Sequence, residues 1–396
     1  MFNSQTISTR GLLAAAIIGS ASAYSIPRDT FTPTIKGTPQ VLGLVSDPSL
    51  NRDSCGSVRF QTRDFWTCRD TQVNDAQGRP GGGTVSSTAA FTPFSFDGTP
   101  YIEETNIIRM TGESSEPFYH MTNEQCSACN QCNGNTAGAC TDGKSRYALW
   151  PDSPPMVTEG QFEGQVTAYT WIRNQRIEGL TLLQNNPSAA LHKITYDPFN
   201  PDPKALPSVS VVNQDFCPEG SFAYGSYGNM VNNGVAYLYA KADDNGKPIA
   251  LAKVPADSVE DKSKYQYWVG DSWTSEQPSI SDKNAHLVNA GAGGQGTYYY
   301  YEPWGRYVWI GQAGISISAE FFITTATEPQ GPWSEPKLLY KGVDGNATLP
   351  AYSLQAHPTL RPGSRNEVYL TYSKVDRWDG VELDVYSTPL IRIEWE

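Results

Sequence analysis

The sequence has few basic residues and only four histidines. Lysine and arginine together number 29 against 41 aspartates and glutamates, so the formal net charge is -12. Nothing concentrates positive potential for a phosphate backbone, and we do not expect nucleic acid as a partner. No two histidines have the i, i+4 helix spacing of a zinc enzyme, and no glycine-rich loop has the context of a nucleotide site. The sequence therefore predicts neither a metal site nor a cofactor.

Long apolar runs are equally scarce. One run, GLLAAAIIG at 11–19, follows Arg10 and precedes the small-residue site Ala21-Ser22-Ala23. It is too short to span a bilayer, and its flanks are typical of a signal peptide, which we expect over residues 1–23. No other stretch suggests a membrane span. We therefore expect a secreted, extracellular protein.

Seven cysteines in an exported chain predict disulfides, because the extracellular compartment is oxidising. Four of them lie in the loop CSACNQCNGNTAGAC, as Cys126, Cys129, Cys132 and Cys140. Such close spacing also occurs in zinc sites, but export favours two bridges that staple the loop. Cys217 then has no partner, unless it takes one of the four. The sequon at Asn346 fits a glycoprotein.

Long amphipathic helical stretches are missing, whereas strand-like runs recur between turn signals. These runs are VTAYTWI at 166–172, VAYLYAK at 235–241, RYVWIG at 306–311, EFFITTA at 320–326 and EVYLTYS at 367–373. Alternating β-branched and aromatic residues indicate an all-β fold. A β-sandwich pair would also explain them, but no linker divides the chain. We expect a signal peptide at 1–23 and one β-propeller domain over 24–396, with blades from about residue 40 and a Cys-rich loop at 126–140.

The segment RDSCGSVRFQTRDFWTCRDTQ, residues 52–72, is close to a mirror image of itself. Folded into a hairpin, it sets Cys55 against Cys68 and Asp53 against Asp70. Directly opposed residues are near disulfide range, and period-two alternation puts the two aspartates on the face of the cysteines. The register therefore predicts two neighbouring carboxylates beside a disulfide between Cys55 and Cys68.

Two like charges held close raise one pKa, so that one carboxyl donates a proton while the other stays ionised. Glycosidic bond cleavage needs such a pair, closely spaced for retention of configuration and farther apart for inversion. Aspartate is also common at strand ends, where it bonds nearby backbone, so a structural role for Asp53 or Asp70 alone stays open.

With these residues in view, the chain resembles the five-bladed β-propeller glycosidase family that includes endo-D-arabinanases, with this chain as a fungal-type secreted member. The resemblance is carried by Asp53 and by FWTCRDTQ with Asp70-Thr71, where Arg69 replaces the usual glycine. The segments GVAYLYAK, IALAKVPADSVEDKSKYQYWVGDSW, FFITTATEPQGPWSEPKLLY and SLQAHPTLRPGSRNEVYLTYS are similar to its later blades. It covers most of the chain from about Val41.

The resemblance implies a site in the central cavity, with Asp53 and Asp70 as catalytic carboxylates and a furanose-containing glycan as substrate. Glu159 and Glu163 are further acidic candidates, although each also fits a surface loop. The candidates for substrate binding are Arg69, Trp150, Tyr224, Tyr227 and His357.

Three functions remain in competition at this stage. The first is a glycoside hydrolase that cleaves a polysaccharide, and the second is a sugar-binding propeller without catalysis, since fold alone does not establish activity. The third is a polysaccharide lyase, in which His357 or His120 serves as base and Arg69 or Arg173 neutralises a uronate. All three predict a polysaccharide or oligosaccharide partner, and we expect a monomer.

Overall fold

The computed structural model describes residues 31–75, 77–112, 117–129, 139–242, 248–363, 365–378 and 383–396. The expected signal peptide and Cys132 lie outside these residues, and the single-domain assignment stays a prediction. In the part of the chain that is described, no helix is both long and apolar enough to cross a membrane.

The described residues form 28 strands, one short α-helix and five 3-10 turns. In chain order the strands are β1 (Gln40–Ser46), β2 (Leu50–Arg52), β3 (Gly56–Phe60), β4 (Arg63–Cys68), β5 (Thr71–Asn74), β6 (Pro80–Val85), β7 (Thr88–Pro93), β8 (Ile107–Arg109), β9 (Ser145–Ala148), β10 (Met156–Glu159), β11 (Val166–Arg173), β12 (Gln175–Glu178), β13 (Thr181–Leu182), β14 (Ala189–Tyr196), β15 (Ser208–Cys217), β16 (Gly228–Asn232), β17 (Val235–Lys241), β18 (Ile249–Pro255), β19 (Gln266–Val269), β20 (Ser272–Thr274), β21 (Gly293–Tyr301), β22 (Arg306–Ala313), β23 (Glu320–Ala326), β24 (Lys337–Lys341), β25 (Ala351–His357), β26 (Glu367–Arg377), β27 (Asp384–Ser387) and β28 (Pro389–Glu394). The helix α1 is Asn123–Cys129, and the 3-10 turns are Ala256–Ser258, Lys262–Lys264, Lys283–Ala285, Glu302–Trp304 and Pro358–Leu360.

The sheets are arranged as a five-bladed β-propeller, which confirms the predicted fold class. Blade 1 contains β3, β4 and β7; blade 2 contains β10, β11, β14 and β15; blade 3 contains β16 to β20; and blade 4 contains β21 to β24. Blade 5 is β25, β26, β28 and β1, with β8 and β27 added at its margins. Two small sheets, β2-β5-β6 and β9-β12-β13, lie outside the blades.

The apolar core is divided into five clusters, and each one fills the space between two neighbouring blades. Trp171 of blade 2 shares a cluster with Leu238 of blade 3, for example, and Ile310 of blade 4 shares one with Leu370 of blade 5. The other three clusters fill the interfaces between blades 1 and 2, 3 and 4, and 5 and 1. Burial of these faces is the main stabilising contribution that the fold offers.

The ring is closed by a strand from the start of the chain. β1 pairs antiparallel with β28, with Val41 opposite Ile391, so blade 5 combines both ends of the propeller. A bulge interrupts this pairing next to Gly43, whose φ is +150°. A Cβ at that position would lie 2.0 Å from the carbonyl oxygen of Asn106, so only glycine fits there.

The five strand-like runs read from the sequence are all strands, because alternating apolar side chains reach a blade interface at every second residue. VAYLYAK and EFFITTA coincide with β17 and β23. The first of the 28 strands, β1, begins at Gln40.

Asp64 is a buried carboxyl near the start of β4 and is not exposed to solvent. Thr359 donates a hydrogen bond to its Oδ1 at 3.4 Å. Burial raises the pKa of Asp64 to about 7, since the low-dielectric surroundings disfavour the charged form. The folded state therefore holds a proton that the unfolded chain releases above its ordinary pKa.

We predict that Asp64→Asn gains stability relative to the wild type as the pH rises from about 4 to 7. The raised pKa makes Asp64 stabilising at low pH, and this contribution is lost through the folded pKa near 7, by at most about 4 kcal/mol. Buried His357, with its pKa lowered to about 3, has the opposite slope, but it is common to both proteins and cancels in the difference. Denaturant unfolding over this pH range measures the effect.

Asp97→Asn is the control with the opposite sign. A hydrogen bond from Thr99 lowers the pKa of Asp97, so this variant should lose stability relative to the wild type as the pH rises to about 4, and the difference should stay constant from about 5 to 7. A pH-independent difference between Asp64→Asn and the wild type would contradict the prediction.

Candidate active site

The hairpin of β3 and β4 has the register read from the sequence. Phe60 pairs with Arg63 and Val58 with Phe65, and the turn between Gln61 and Thr62 joins the two strands. At the other end of the hairpin Cys55 and Cys68 form a disulfide, with their Cα atoms 4.0 Å apart. Both half-cystines are buried, in the cluster between blades 5 and 1.

Backbone pairing continues beyond the cystine to the two aspartates. The Asp53 amide donates to the carbonyl of Asp70 at 2.9 Å, and the Arg69 amide donates back to the carbonyl of Asp53 at 2.8 Å. The two residues are therefore held side by side by a covalent bond and two hydrogen bonds. Their main-chain positions are set without any contribution from the carboxyl groups.

The Asp53 carboxyl lies at the start of the inner strand of blade 1 and is only 7% exposed. Its Oδ1 accepts hydrogen bonds from the hydroxyls of Ser54 and Ser373, each at 2.7 Å. Burial raises the pKa of Asp53 above its ordinary value; the two hydroxyls and the Arg69 charge oppose this shift, and the Asp70 charge adds to it. These surroundings favour a protonated acid.

The Asp70 carboxylate is held by donors of a different kind. Arg146 contacts both of its oxygens, with Nη1 at 3.0 Å from Oδ1 and Nη2 paired with Oδ2. The Trp150 indole donates to Oδ1 at 2.9 Å. Fork-shaped pairing with a guanidinium suits a carboxylate that carries its negative charge. The two aspartates therefore lie close together but have different hydrogen-bond partners.

Two tyrosines from blade 5 surround the pair. Tyr352, at the start of β25, interacts with the Asp53 carboxyl, and burial together with the Asp53 charge raises the pKa of its phenol well above the ordinary value. Tyr386 in β27 is near both Asp53 and Asp70, and burial is again the largest cause of its raised pKa. Both hydroxyls are therefore proton donors at neutral pH.

Beside the aspartates a cavity of about 150 Å³ opens at the end of the channel where the inner strands begin. Its lining comes from blades 1 to 4 and consists of Arg69, Asp152, Arg173, Asn186, Pro187, Ser221, Ala223, Ser226, Tyr227, Lys241 and Gln295. Side-chain hydrogen bonds run from Asp53 through Ser54 and Ser353 to Gln295 and so connect the cavity to the aspartates. Cavity and carboxyl pair form one site.

Among the residues predicted to bind substrate, Arg69, Trp150 and Tyr227 lie at this site. Arg69 and Tyr227 line the cavity, and the Arg69 guanidinium is 5.0 Å from the Trp150 ring centroid. Tyr224 instead belongs to the core between blades 2 and 3, where it is 3% exposed. His357 is fully buried in the wall between blades 5 and 1, hydrogen-bonded to Ser57 and Thr371.

Glu159 and Glu163 are not brought to the aspartates. Both are exposed, Glu159 at the far end of β10 and Glu163 in the loop that follows. β10 begins after Asp152, so it is Asp152 that blade 2 contributes to the site, while the two glutamates lie toward the opposite mouth of the channel.

The remaining sequence candidates lie away from the site. Cys129 and Cys140 are bonded to each other, Cys126 is also disulfide-bonded, and Cys217 is a buried free thiol. Asn346 is exposed, which leaves the predicted glycosylation sterically open. Within the described residues no cluster of His, Cys, Asp and Glu has the arrangement of a metal site.

Sequence reasoning missed five residues of the site: Arg146, Asp152, Tyr352, Ser373 and Tyr386. Each comes from a part of the chain far from the hairpin; Arg146, for instance, is 76 residues from Asp70 and Ser373 is 320 from Asp53. The one local signal was WPDSPP, in which Asp152 precedes a strand of a middle blade.

Comparison with known families gives a partial match. Residues 201–392, just under half of the chain, match the family described as Domain of unknown function (DUF4185). The matched segment covers the later blades and does not include Asp53 or Asp70. No curated protein matches the chain.

Solved structures resemble the chain in fold. A candidate hydrolase from Bacteroides ovatus is 15% identical, with a TM-score of 0.54 over 89% of this chain and 87% of that one. An exo-beta-1,3-galactanase from Phanerochaete chrysosporium is 11% identical, with a TM-score of 0.44 over 89% of this chain and 64% of that one. The GH43_1 enzyme from Xanthomonas citri is 10% identical, with a TM-score of 0.45 over 89% of both chains. The first likeness supports the fold, and the two weaker ones add no argument.

We predict that replacing Cys55 and Cys68 together by alanine lowers the free energy of unfolding by about 3 kcal/mol, because the crosslink restricts the unfolded chain. Denaturant unfolding without reductant measures the loss. The pair Cys129 and Cys140 is a matched control, since its sequence separation of 11 is close to the 13 of the first pair and predicts a similar entropic loss. An unchanged unfolding midpoint for the Cys55 and Cys68 double variant would show that this disulfide does not stabilise the fold.

Proposed function

We propose that the protein is a secreted glycoside hydrolase that cleaves a furanose-containing, arabinanase-like polysaccharide. The observation that carries the proposal is the pair of adjoining carboxyls in unlike environments, Asp53 among hydroxyls and Asp70 against a guanidinium. Cleavage of a glycosidic bond needs one carboxyl that donates a proton and one that is ionised.

In the proposed mechanism Asp53 donates its proton to the leaving oxygen of the scissile bond. Its burial keeps the acid form populated nearer neutral pH, where an ordinary aspartate would be ionised. Asp70 supplies the carboxylate that completes the pair, and Arg146 and Trp150 position it. The Tyr352 hydroxyl, next to Asp53, helps to orient the acid.

The furanose substrate is supported by the resemblance at Asp53 and Asp70-Thr71 to the family that includes endo-D-arabinanases. Export is supported by the buried disulfides, which fit an oxidising compartment. A lyase with His357 as its base is less consistent with the geometry, because His357 is fully buried and burial lowers its pKa to about 3.

We predict that Asp53→Asn and Asp70→Asn each lower the rate of glycan cleavage about a thousandfold or more, because acid–base catalysis contributes on this scale. Oligosaccharides released from arabinans and galactofuranose-containing glycans are to be separated by chromatography. Thermal unfolding should be nearly unaltered in Asp53→Asn, whereas Asp70→Asn also breaks the pairing with Arg146 and should lower the unfolding temperature. Asp97→Asn, at an exposed position, is the control, and wild-type turnover in both site variants would rule out the carboxyl pair.

A second prediction concerns the pH profile of kcat/KM. The Ser373 hydroxyl donates to Asp53 and thereby lowers its pKa, so Ser373→Ala should raise the pKa of Asp53 further. If Asp53 acts in its protonated form, the alkaline limb of the profile then moves to higher pH. Ser334→Ala, which removes a hydroxyl from the outer part of blade 4, should leave the limb in place. If instead the acid limb moves to higher pH while the alkaline limb stays in place, Asp53 acts in its ionised form.

A further inference from the structure

A second and larger cavity lies at the opposite mouth of the central channel, away from the two aspartates. Its volume is about 540 Å³, compared with about 150 Å³ for the cavity beside them. The inner strands β3, β10, β16 and β21 of blades 1 to 4 line it, together with the turn that follows β25 of blade 5. A recess of this size is within the range of small-molecule binding sites, roughly 300 to 1,000 Å³.

Buried polar side chains separate the two cavities. Gln355, which is 3% exposed, accepts a hydrogen bond at 2.6 Å from Thr297 in the lining of the larger cavity. Its amide nitrogen donates at 3.5 Å to the carbonyl of Asp152 in the lining of the smaller one. Asn229, also in the larger cavity, donates to the Ser153 hydroxyl at 2.9 Å. The two cavities are therefore separate sites and not the two ends of an open channel.

An exposed aromatic ring lies at the rim of the larger cavity. Phe162, in the loop after β10, belongs to the lining and is nevertheless 75% exposed. Gln61, in the turn between β3 and β4, holds this loop. Its amide donates to the carbonyl of Gln161 at 2.8 Å, and its side chain donates to the carbonyl of Gly164. The Phe162 ring is therefore presented to solvent by a loop whose main chain is held in place.

Two polar groups in the lining of this cavity have no hydrogen-bond partner among the described residues. One is the hydroxyl of Tyr299, a residue that is only 5% exposed. The other is Nε of Arg361, whose Nη1 and Nη2 donate to the Gly363 carbonyl and the Glu302 carboxylate. Burial raises the pKa of Tyr299, and the nearby Arg361 charge opposes this shift. Unpaired groups of this kind cost free energy unless a ligand or water supplies the missing hydrogen bonds.

The lining of the larger cavity carries little net charge. Its charged residues are Arg59, Arg361 and Glu302, and Arg361 pairs with Glu302 at 3.1 Å. The Arg59 guanidinium lies 4.4 Å from the centroid of the Phe94 ring, and its Nε donates to the carbonyl of Gln61 at 2.7 Å. Such a lining is complementary to a neutral ligand rather than to a highly charged one.

We propose that this cavity is a second, non-catalytic binding site, which holds a neutral oligosaccharide segment. Phe162 offers a ring face to the apolar face of a sugar, and the Tyr299 hydroxyl and Arg361 Nε offer hydrogen bonds to sugar hydroxyls. Asn232 and Gln161 add amide groups from blades 3 and 2. A purely apolar ligand would leave these polar groups unpaired, whereas a sugar combines an apolar face with hydroxyls.

The inference goes beyond the proposed function, because a ligand at this mouth contacts neither Asp53 nor Asp70. Binding here would hold a separate segment of a polysaccharide, or a second chain, on the face of the ring opposite the aspartates. Two binding sites on one protein raise the effective concentration of a polymer at each of them.

The test is affinity electrophoresis in native gels, each of which contains one neutral polysaccharide: arabinan, galactan, xylan, galactomannan or β-glucan. The net charge of -12 drives the protein through the gel, and binding retards it. The protein used is Asp53→Asn, which keeps the polysaccharide intact. We expect retardation by at least one of the five, and migration unaltered by all of them would overturn the inference.

Two variants made in the Asp53→Asn background locate the binding. Phe162→Ala should weaken the affinity about tenfold, and Tyr299→Phe, which removes one hydroxyl, about fivefold. Phe199→Ala is the matched control, because Phe199 is 84% exposed but lies outside the cavity, and it should be retarded like its parent. If both cavity variants are retarded as strongly as their parent, the polysaccharide binds elsewhere and the inference is wrong.

Thermal unfolding separates lost binding from lost structure. The Phe162 ring is largely exposed, and the Tyr299 hydroxyl has no hydrogen-bond partner among the described residues, so neither change removes a stabilising interaction of the hydroxyl or much packing. Both variants should therefore unfold at nearly the temperature of their parent. If one of them is destabilised, the retardation of the other decides the outcome.

Failure of this inference can be distinguished from failure of the proposed function. If the protein is retarded in a Phe162-dependent manner but the wild type cleaves no glycan, the second binding site is supported and the hydrolase is wrong. If the wild type cleaves arabinan and Phe162→Ala and Tyr299→Phe are retarded like their parent in every gel, the hydrolase is supported and the second binding site is wrong.

Discussion

Burial of apolar faces between neighbouring blades is the constraint on which the rest of the structure depends. Each blade has two apolar faces, and both are covered only when the five blades form a closed ring. Closure turns the starts of the inner strands toward one end of a common axis. Asp53, Asp152, Tyr227 and Gln295 each lie at or just before an inner strand of a different blade, so the packing of the blades also assembles the site.

The proposed chemistry of the site depends on the different surroundings of Asp53 and Asp70, whose main chains lie side by side. The cystine and the paired amides hold the main chain at Asp53 and Asp70, and the surrounding blades then supply different partners. Blade 5 contributes the Ser373 hydroxyl to Asp53, whereas Arg146 reaches Asp70 from the small sheet outside the blades. The contrast between the two carboxyl environments, on which the proposed mechanism rests, is therefore a property of the assembled ring, not of the hairpin alone.

The sequence was informative wherever the signal was local. Period-two alternation located the blade strands, and the mirrored segment set the register of the hairpin, because both depend only on residues close in the chain. It was uninformative about partners that come from other blades, such as Arg146 and Tyr352. Glu159 and Glu163 illustrate this limit of sequence reasoning. The sequence shows that both lie near a strand, but which end of that strand faces the aspartates depends on the direction of the whole blade. His357 shows the same limit, because the sequence made it a substrate-binding candidate whereas the structure buries it at the end of β25, beside the Trp66 ring.

Ring closure also orders events during synthesis. β1 is made first and its partner β28 last, so blade 5 cannot be completed until almost the entire chain has emerged. Blades 3 and 4 consist of consecutive strands, and only β12 and β13 interrupt the strands of blade 2, so all three blades can pair as they appear. The hairpin that bears Asp53 and Asp70 borders blade 5, so the contacts that blade 5 makes with it, such as the hydrogen bond from Ser373 to Asp53, form only after the last blade has been synthesised.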